Sequence, residues 1–218
     1  MIRALVFDFD GLILDTESSL IGAYEDIHLA HGHPFDRDLF HKSVGHADYS
    51  FDPWHAFDKR ADRAALEAER KAKNRARDLL LPILPGAVEL LDAGKARGLK
   101  IALASNSVHE HCERHLKRLG LFDRFDFVAC REDVASPKPE PDLYKLVLNR
   151  LGLRGHEAIA FEDSRTGSLA AKRAHLWVMA VPNPSTAHHD FTHVDRVWKS
   201  LAEIELDRLM REYGEKSG

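Results

Sequence analysis

The chain has 218 residues, 31 of them basic and 35 acidic, with a formal charge of −4 and a 44% hydrophobic share, which fits one soluble globular domain plus an insert. The slight negative balance excludes polyanion binding as the main business of the chain, so no nucleic-acid partner is expected, and no apolar run is long enough to span a bilayer. Two cysteines, Cys112 and Cys130, exclude a disulfide framework and predict free thiols in a reducing cytoplasm, while Met1-Ile2-Arg3 leads straight into a strand and leaves no room for a signal peptide.

The first strand is predicted over residues 2–8, an apolar run that ends in Asp8-Phe9-Asp10-Gly11. Residues two apart face the same side of an extended segment, so Asp8 and Asp10 can meet one reacting atom while Phe9 turns away. Gly11 then permits a turn that a residue with Cβ would resist. Two acids this close repel each other unless a cation or a shared proton compensates. Taken alone, the pair reads equally as a cap or Asx-turn after a strand.

A helical stretch is predicted over residues 16–32, broken at Gly32-His33-Pro34. Further helical pieces run to about residue 81, the longest over 58–80. Residues 58–78 hold eight basic and five acidic side chains, with alanines at 61, 65, 68, 72 and 76 along one side. That pattern predicts an amphipathic helix with a charged outer face. Phe51, Trp54, His55 and Phe57 are expected to pack a small core there, with lining of a substrate cavity as the alternative. Pro82 to Gly86 mark a return, followed by a helix over 87–98. Strands at 101–104, 127–129, 158–161, 177–181 and 194–197 then alternate with helices at 108–119, 143–151 and 167–174, before a closing helix. Such alternation predicts βαβ units and a parallel sheet with helices on both faces.

Three later segments bring chemistry to strand ends, where α/β proteins gather it. Ser105-Asn106-Ser107 offers hydroxyl and amide groups for phosphate oxygens. Lys138 lies in Pro137-Lys138-Pro139-Glu140-Pro141-Asp142, where prolines stiffen the loop around one cation. Glu162-Asp163 forms a second acid pair. His109, His111 and His115 share a predicted helix, but Cys112 stands where a zinc-protease pattern needs Glu, so they read as a solvated helix face. His28, His31 and His33 surround a helix end, an ordinary place for polar groups. Gly11 and Gly167 form no dinucleotide fingerprint, and no Walker loop is present.

In order, Asp8-Phe9-Asp10-Gly11-Leu12-Ile13-Leu14-Asp15-Thr16, Ser105, Lys138-Pro139-x-Pro141-Asp142-x-Tyr144 and Glu162-Asp163-Ser164 resemble the four motifs of the haloacid dehalogenase superfamily. The likeness is strongest to its β-phosphoglucomutase-like phosphatase branch. It implies an α/β fold, a Rossmann-like parallel-sheet core over residues 1–15 and 82–218 with an inserted all-helical cap over 16–81. The cap joins the core at two points and could rock as a lid that excludes water. The activity implied is Mg²⁺-dependent hydrolysis of a small phosphorylated metabolite, by a monomer or alternatively a dimer.

Asp8 would be the nucleophile, forming an aspartyl-phosphate. Asp10 would protonate the leaving oxygen and then activate water. Ser105 and Asn106, with neighbouring backbone N–H groups, would hold phosphoryl oxygens, and Lys138 would offset the charge of nucleophile and phosphate. The resemblance makes the Asp8 carboxylate, the Asp10 carbonyl and Asp163 the Mg²⁺ ligands, with Glu162 bound directly or through water, an all-oxygen set as Mg²⁺ prefers. Charge supports a cation: four acids against Lys138 alone would repel a phosphate dianion. Dehalogenation needs no acid at Asp10, so its presence favours phosphoryl chemistry. The rivals are a sugar-phosphate mutase and a non-catalytic phosphate-binding module. Mutases of this branch carry a histidine five residues after the aspartate equivalent to Asp15, where this chain has Leu20. They also carry an arginine after a cap glycine, where this chain reads Gly45-His46-Ala47-Asp48. Both differences favour hydrolysis.

Overall fold

The computed structural model describes residues 1–43 and 52–215. The chain separates into two compact units, one formed by Met1–Leu14 with the chain from Ile83 onward, the other by Asp15–Pro82. In chain order the elements are β1 (Ala4–Phe7), α1 (Thr16–Ala30), α2 (Arg37–Ser43), α3 (Arg63–Asp78), α4 (Ala87–Ala96), β2 (Lys100–Ala104) and α5 (His109–Arg118). There follow β3 (Phe127–Ala129), α6 (Asp142–Leu151), β4 (Ala158–Glu162), α7 (Arg165–Arg173), β5 (Trp177–Ala180), β6 (Arg196–Val197) and α8 (Leu206–Glu215).

The strands of the first unit form one parallel sheet in the order β3-β2-β1-β4-β5-β6. Helices cover both faces, and β1 and β4 are buried along their whole length, as continuous apolar strands in a parallel sheet must be. Ala4, Val6, Ala102, Ala104 and Ala160 turn toward Leu143, Val147 and Ala170 of α6 and α7. The alternate residues Leu5 and Ile101 face α4, where Gly94 leaves no space for a Cβ: one would lie 2.7 Å from Ile101 Cδ1. Phe7 and Phe161 stack at 4.9 Å between β1 and β4 and are fully buried, each burial stabilising by about 1.5–3 kcal/mol. The order in which strands are added reverses between β1 and β4, because β2 lies on one side of β1 and β4 on the other. That switch point opens a crevice at the carboxyl ends of both strands. Cys112 and Cys130 are free and buried.

The second unit packs α1 against α3. Asp15 caps α1 by accepting from Ser18 N, and Asp62 caps α3 by accepting from Ala64 N and Ala65 N, which starts the helix after residue 62 and not at 58. Trp54 and Phe57 join Ile27 and Leu66 in a small core, whereas His55 is exposed and Phe51 lies outside the described residues. The alanine stripe does not form the inner face of α3, for Ala65, Ala68, Ala72 and Ala76 are exposed. Leu66, Arg70 and Asp78 are the buried residues instead. The physical reason is area and pairing. Arg70 lays its guanidinium 5.1 Å from the Tyr24 ring centre and pairs with Glu67, and Asp78 accepts from Ser19 Oγ at 2.6 Å, so long side chains with satisfied heads bury more than methyl groups can. His28 is likewise buried, stacked on Trp54 with Nδ1 2.8 Å from the Tyr24 carbonyl. Among the described residues no helix is long and apolar enough to cross a membrane.

Candidate active site

The loop after β1 is built by hydrogen bonds that the sequence makes possible. Asp8 N donates to Phe161 O at 3.0 Å, extending the ladder by one residue, and Gly11 N donates to Leu14 O at 2.7 Å. Gly11 has φ +75°, a left-handed conformation that glycine adopts without strain. A Cβ there would also lie 2.4 Å from Asn183 Nδ2 and 2.5 Å from Asp163 Oδ2. Glycine is therefore required twice over, by the turn and by the acid it touches.

Asp8, Lys138, Glu162 and Asp163 meet in one buried cluster. Lys138 Nζ donates to Asp8 Oδ1 and to Glu162 Oε1, each at 2.6 Å. Tyr144 OH donates to the same Glu162 oxygen at 2.5 Å, leaving Glu162 Oε2 buried with no hydrogen-bond partner. Gly167 on α7 makes room for that oxygen, since a Cβ there would sit 2.0 Å from it. Asp163 Oδ2 accepts from Asn183 Nδ2 at 2.8 Å. One carboxylate oxygen from each of Asp8, Glu162 and Asp163 lies within 4.8 Å of the others.

Burial is the largest influence on Asp8. Against the lowering pull of Lys138, and with Glu162 and Asp10 adding to it, burial pushes this carboxyl up to about 8. The ammonium of Lys138 is held charged: its two carboxylate partners outweigh burial and raise it above its ordinary value. Three acids against one ammonium, with one buried oxygen unpartnered, leave the cluster short of positive charge. An all-oxygen donor set of this kind fits a hard divalent cation.

Asp10 lies in a second, half-buried cluster. Ser107 Oγ donates to its Oδ2 at 2.6 Å, Ser105 Oγ stands 3.5 Å from the same oxygen, and His111 Nε2 is 2.9 Å from Oδ1. Ser105 is buried, with its N bonded to Ala129 O and its Oγ accepting from Ser107 N. Asn106 points elsewhere: its Nδ2 donates to Lys138 O at 3.0 Å and its Oδ1 accepts from Lys138 N at 2.9 Å. Both ends of that amide are committed to the backbone of the lysine loop.

The histidine-bearing face of α5 is turned inward at His111 and His115, contrary to the sequence reading, with His109 and His111 half-buried. His115 is fully buried, and burial lowers its imidazole to about 4. His111 and His115 both pack on Phe9, with ring centres at 5.7 and 6.2 Å. His109 Nε2 is 2.8 Å from Asp133 Oδ2. Ser107 precedes α5 and His111 lies in its first turn, so both come from the segment at the carboxyl end of β2, where the crevice opens. Tyr144 and Asn183 were also missed as partners of the acids. Asn183 follows β5, whose carboxyl end opens on the same crevice.

A family model for haloacid dehalogenase-like hydrolases matches residues 2–175. YhcW of Bacillus subtilis is 39% identical over 217 residues, covering 96% of this chain and 97% of that one. The phosphorylated carbohydrates phosphatase of Thermotoga maritima is 32% identical over 176 residues, 79% of this chain and 81% of that one. Among solved structures, CbbY from Rhodobacter sphaeroides in complex with phosphate superposes with a TM-score of 0.74 at 27% identity, over 93% of this chain and 96% of that one. With these likenesses over the motif-bearing core, the chain belongs to the haloacid dehalogenase-like hydrolases.

Proposed function

We propose that this phosphatase hydrolyses a small phosphorylated metabolite of the sugar-phosphate class, with Mg²⁺, through an aspartyl-phosphate on Asp8. The observation that carries the reading is the buried Asp8–Lys138–Glu162–Asp163 cluster at the switch point of the sheet, with a second carboxyl two residues after Asp8 held by Ser107 and His111. The relative from Thermotoga maritima named for phosphorylated carbohydrates supports the substrate class.

Asp8 attacks phosphorus through a carboxylate oxygen, and the bond from phosphorus to the ester oxygen breaks. Asp10 gives its proton to that leaving oxygen. In the second half Asp10 takes a proton from water as the water oxygen attacks phosphorus, and Asp8 is released with inorganic phosphate. Lys138 holds Asp8 in place and balances its charge through the 2.6 Å contact. Ser105 and backbone N–H groups beside it hold phosphoryl oxygens. Asn106 is assigned to fixing the backbone of Lys138, on its two bonds there, in place of a direct contact with phosphate. Asp8, Asp163, the Asp10 carbonyl and Glu162 would hold Mg²⁺. When bound, the cation supplies Lewis-acid charge stabilisation to the transferring phosphoryl group. We assign residues 16–81 to a cap that selects the substrate.

Phosphate release from a panel of sugar phosphates, with Mg²⁺ and in excess chelator, tests the reading. We expect release only with Mg²⁺, and loss by several orders of magnitude in Asp8→Asn with the fold retained. Near-normal turnover in Asp8→Asn, or full activity in chelator, would sink it.

A further inference from the structure

We infer that His111 is a positioning residue for Asp10, fixing the carboxyl that serves as acid and base, an inference that rests on the function proposed above. His111, from α5 of the first unit, stands with Nε2 2.9 Å from Asp10 Oδ1.

The geometry around the ring is specific. His111 sits edge-on to Phe9, at 86° and 5.7 Å, and edge-on to His115 at 4.9 Å. Phe9 is the residue between the two aspartates and is fully buried, so the side chain that turns away from the reacting atom forms the wall on which His111 rests. The imidazole is thereby held with Nε2 aimed at Oδ1, while Ser107 Oγ binds Oδ2 at 2.6 Å. Engaging both oxygens fixes the carboxyl plane, and with it the direction in which a proton is given or taken. A neutral imidazole protonated on Nε2 donates this bond, so no charge on the ring is required. Proton transfer is sensitive to such aim, because small misplacements of a catalytic group are costly.

Burst kinetics with two leaving groups separate this role from a structural one. With p-nitrophenyl phosphate the leaving group departs without protonation, so phosphorylation of Asp8 reads nucleophile and phosphate binding alone. With glycerol 2-phosphate the same step needs the Asp10 proton. His111→Ala should keep the first-turnover rate of p-nitrophenolate release near wild type, slow the steady-state hydrolysis that follows, and lower kcat on glycerol 2-phosphate by about 10- to 100-fold at similar KM. His111→Gln, whose amide nitrogen reaches the Nε2 position, should recover most of that loss and guards against misfolding of the alanine variant. First-turnover release of p-nitrophenolate slowed as much as turnover of glycerol 2-phosphate, or no loss in hydrolysis, would overturn the positioning role alone. A wild-type enzyme whose activity survives Asp8→Asn would instead remove the underlying reading, and this inference with it.

Discussion

Asp8 shares its Oδ1 with the Lys138 ammonium, yet burial pushes its carboxyl up to about 8. An ordinary carboxylate ionises near 4, so burial favours the protonated form of Asp8 in the metal-free protein. A cation needs the ionised form as ligand and must displace that proton. The sign follows directly: apparent Mg²⁺ affinity should rise with pH up to about 8, by about tenfold per pH unit where displacement is complete, and level off above it. Calorimetric titration with Mg²⁺ at pH 7, in buffers of different ionisation enthalpy, measures the protons released. Heats that do not vary with the buffer would contradict this account. A proton on Asp8 would also ease the crowding of Asp8, Glu162 and Asp163, whose oxygens lie within 4.8 Å of one another.

Elements are placed by what their glycines allow. On α7, Gly167 faces the unpartnered oxygen of Glu162, which a Cβ would approach to 2.0 Å. Gly167→Ala should therefore cost about 1–3 kcal/mol by overpacking and raise the Mg²⁺ requirement. The double variant Gly167→Ala/Glu162→Asp, one methylene shorter, should regain stability in urea unfolding. An alanine variant as stable as the parent would show that the close approach is not real. Much of this core could be read beforehand, since continuous apolar strands such as residues 158–161 and turn-forming glycines such as Gly11 encode burial and direction in their own residues. Partnerships across elements could not. His111 meets Asp10 across 101 positions, and a helical period by itself does not tell a face turned to water from one turned to an active site. The alanines of α3 misled for a related reason: the face of a helix that is buried depends on its neighbour, and α1 offers Tyr24 and Ser19 to Arg70 and Asp78.

At the scale of the molecule, the open choice is between hydrolysis and transfer. A mutase must protect its aspartyl-phosphate from water until a second sugar phosphate arrives, and must grip a distal phosphate meanwhile. Leu20, on α1, has no hydrogen-bonding group with which to restrain a carboxyl. Gly45-His46-Ala47-Asp48, which offers one acid and no arginine, lies outside the described residues, so the charge argument there stands on sequence: an acid repels a distal phosphate. The positioning given to His111 would act in the same direction, since it belongs to the core and holds Asp10 ready whichever substrate is bound. We therefore expect prompt hydrolysis of the phospho-enzyme and a preference for monophosphates over bisphosphates. Phosphorus NMR on glucose 1-phosphate and glucose 6-phosphate, each incubated with enzyme and Mg²⁺, distinguishes the outcomes within one sample. Inorganic phosphate should accumulate with little of the other sugar phosphate formed. Interconversion of the two esters that outruns phosphate release would make this chain a mutase, and would require a restraint on Asp10 other than His111.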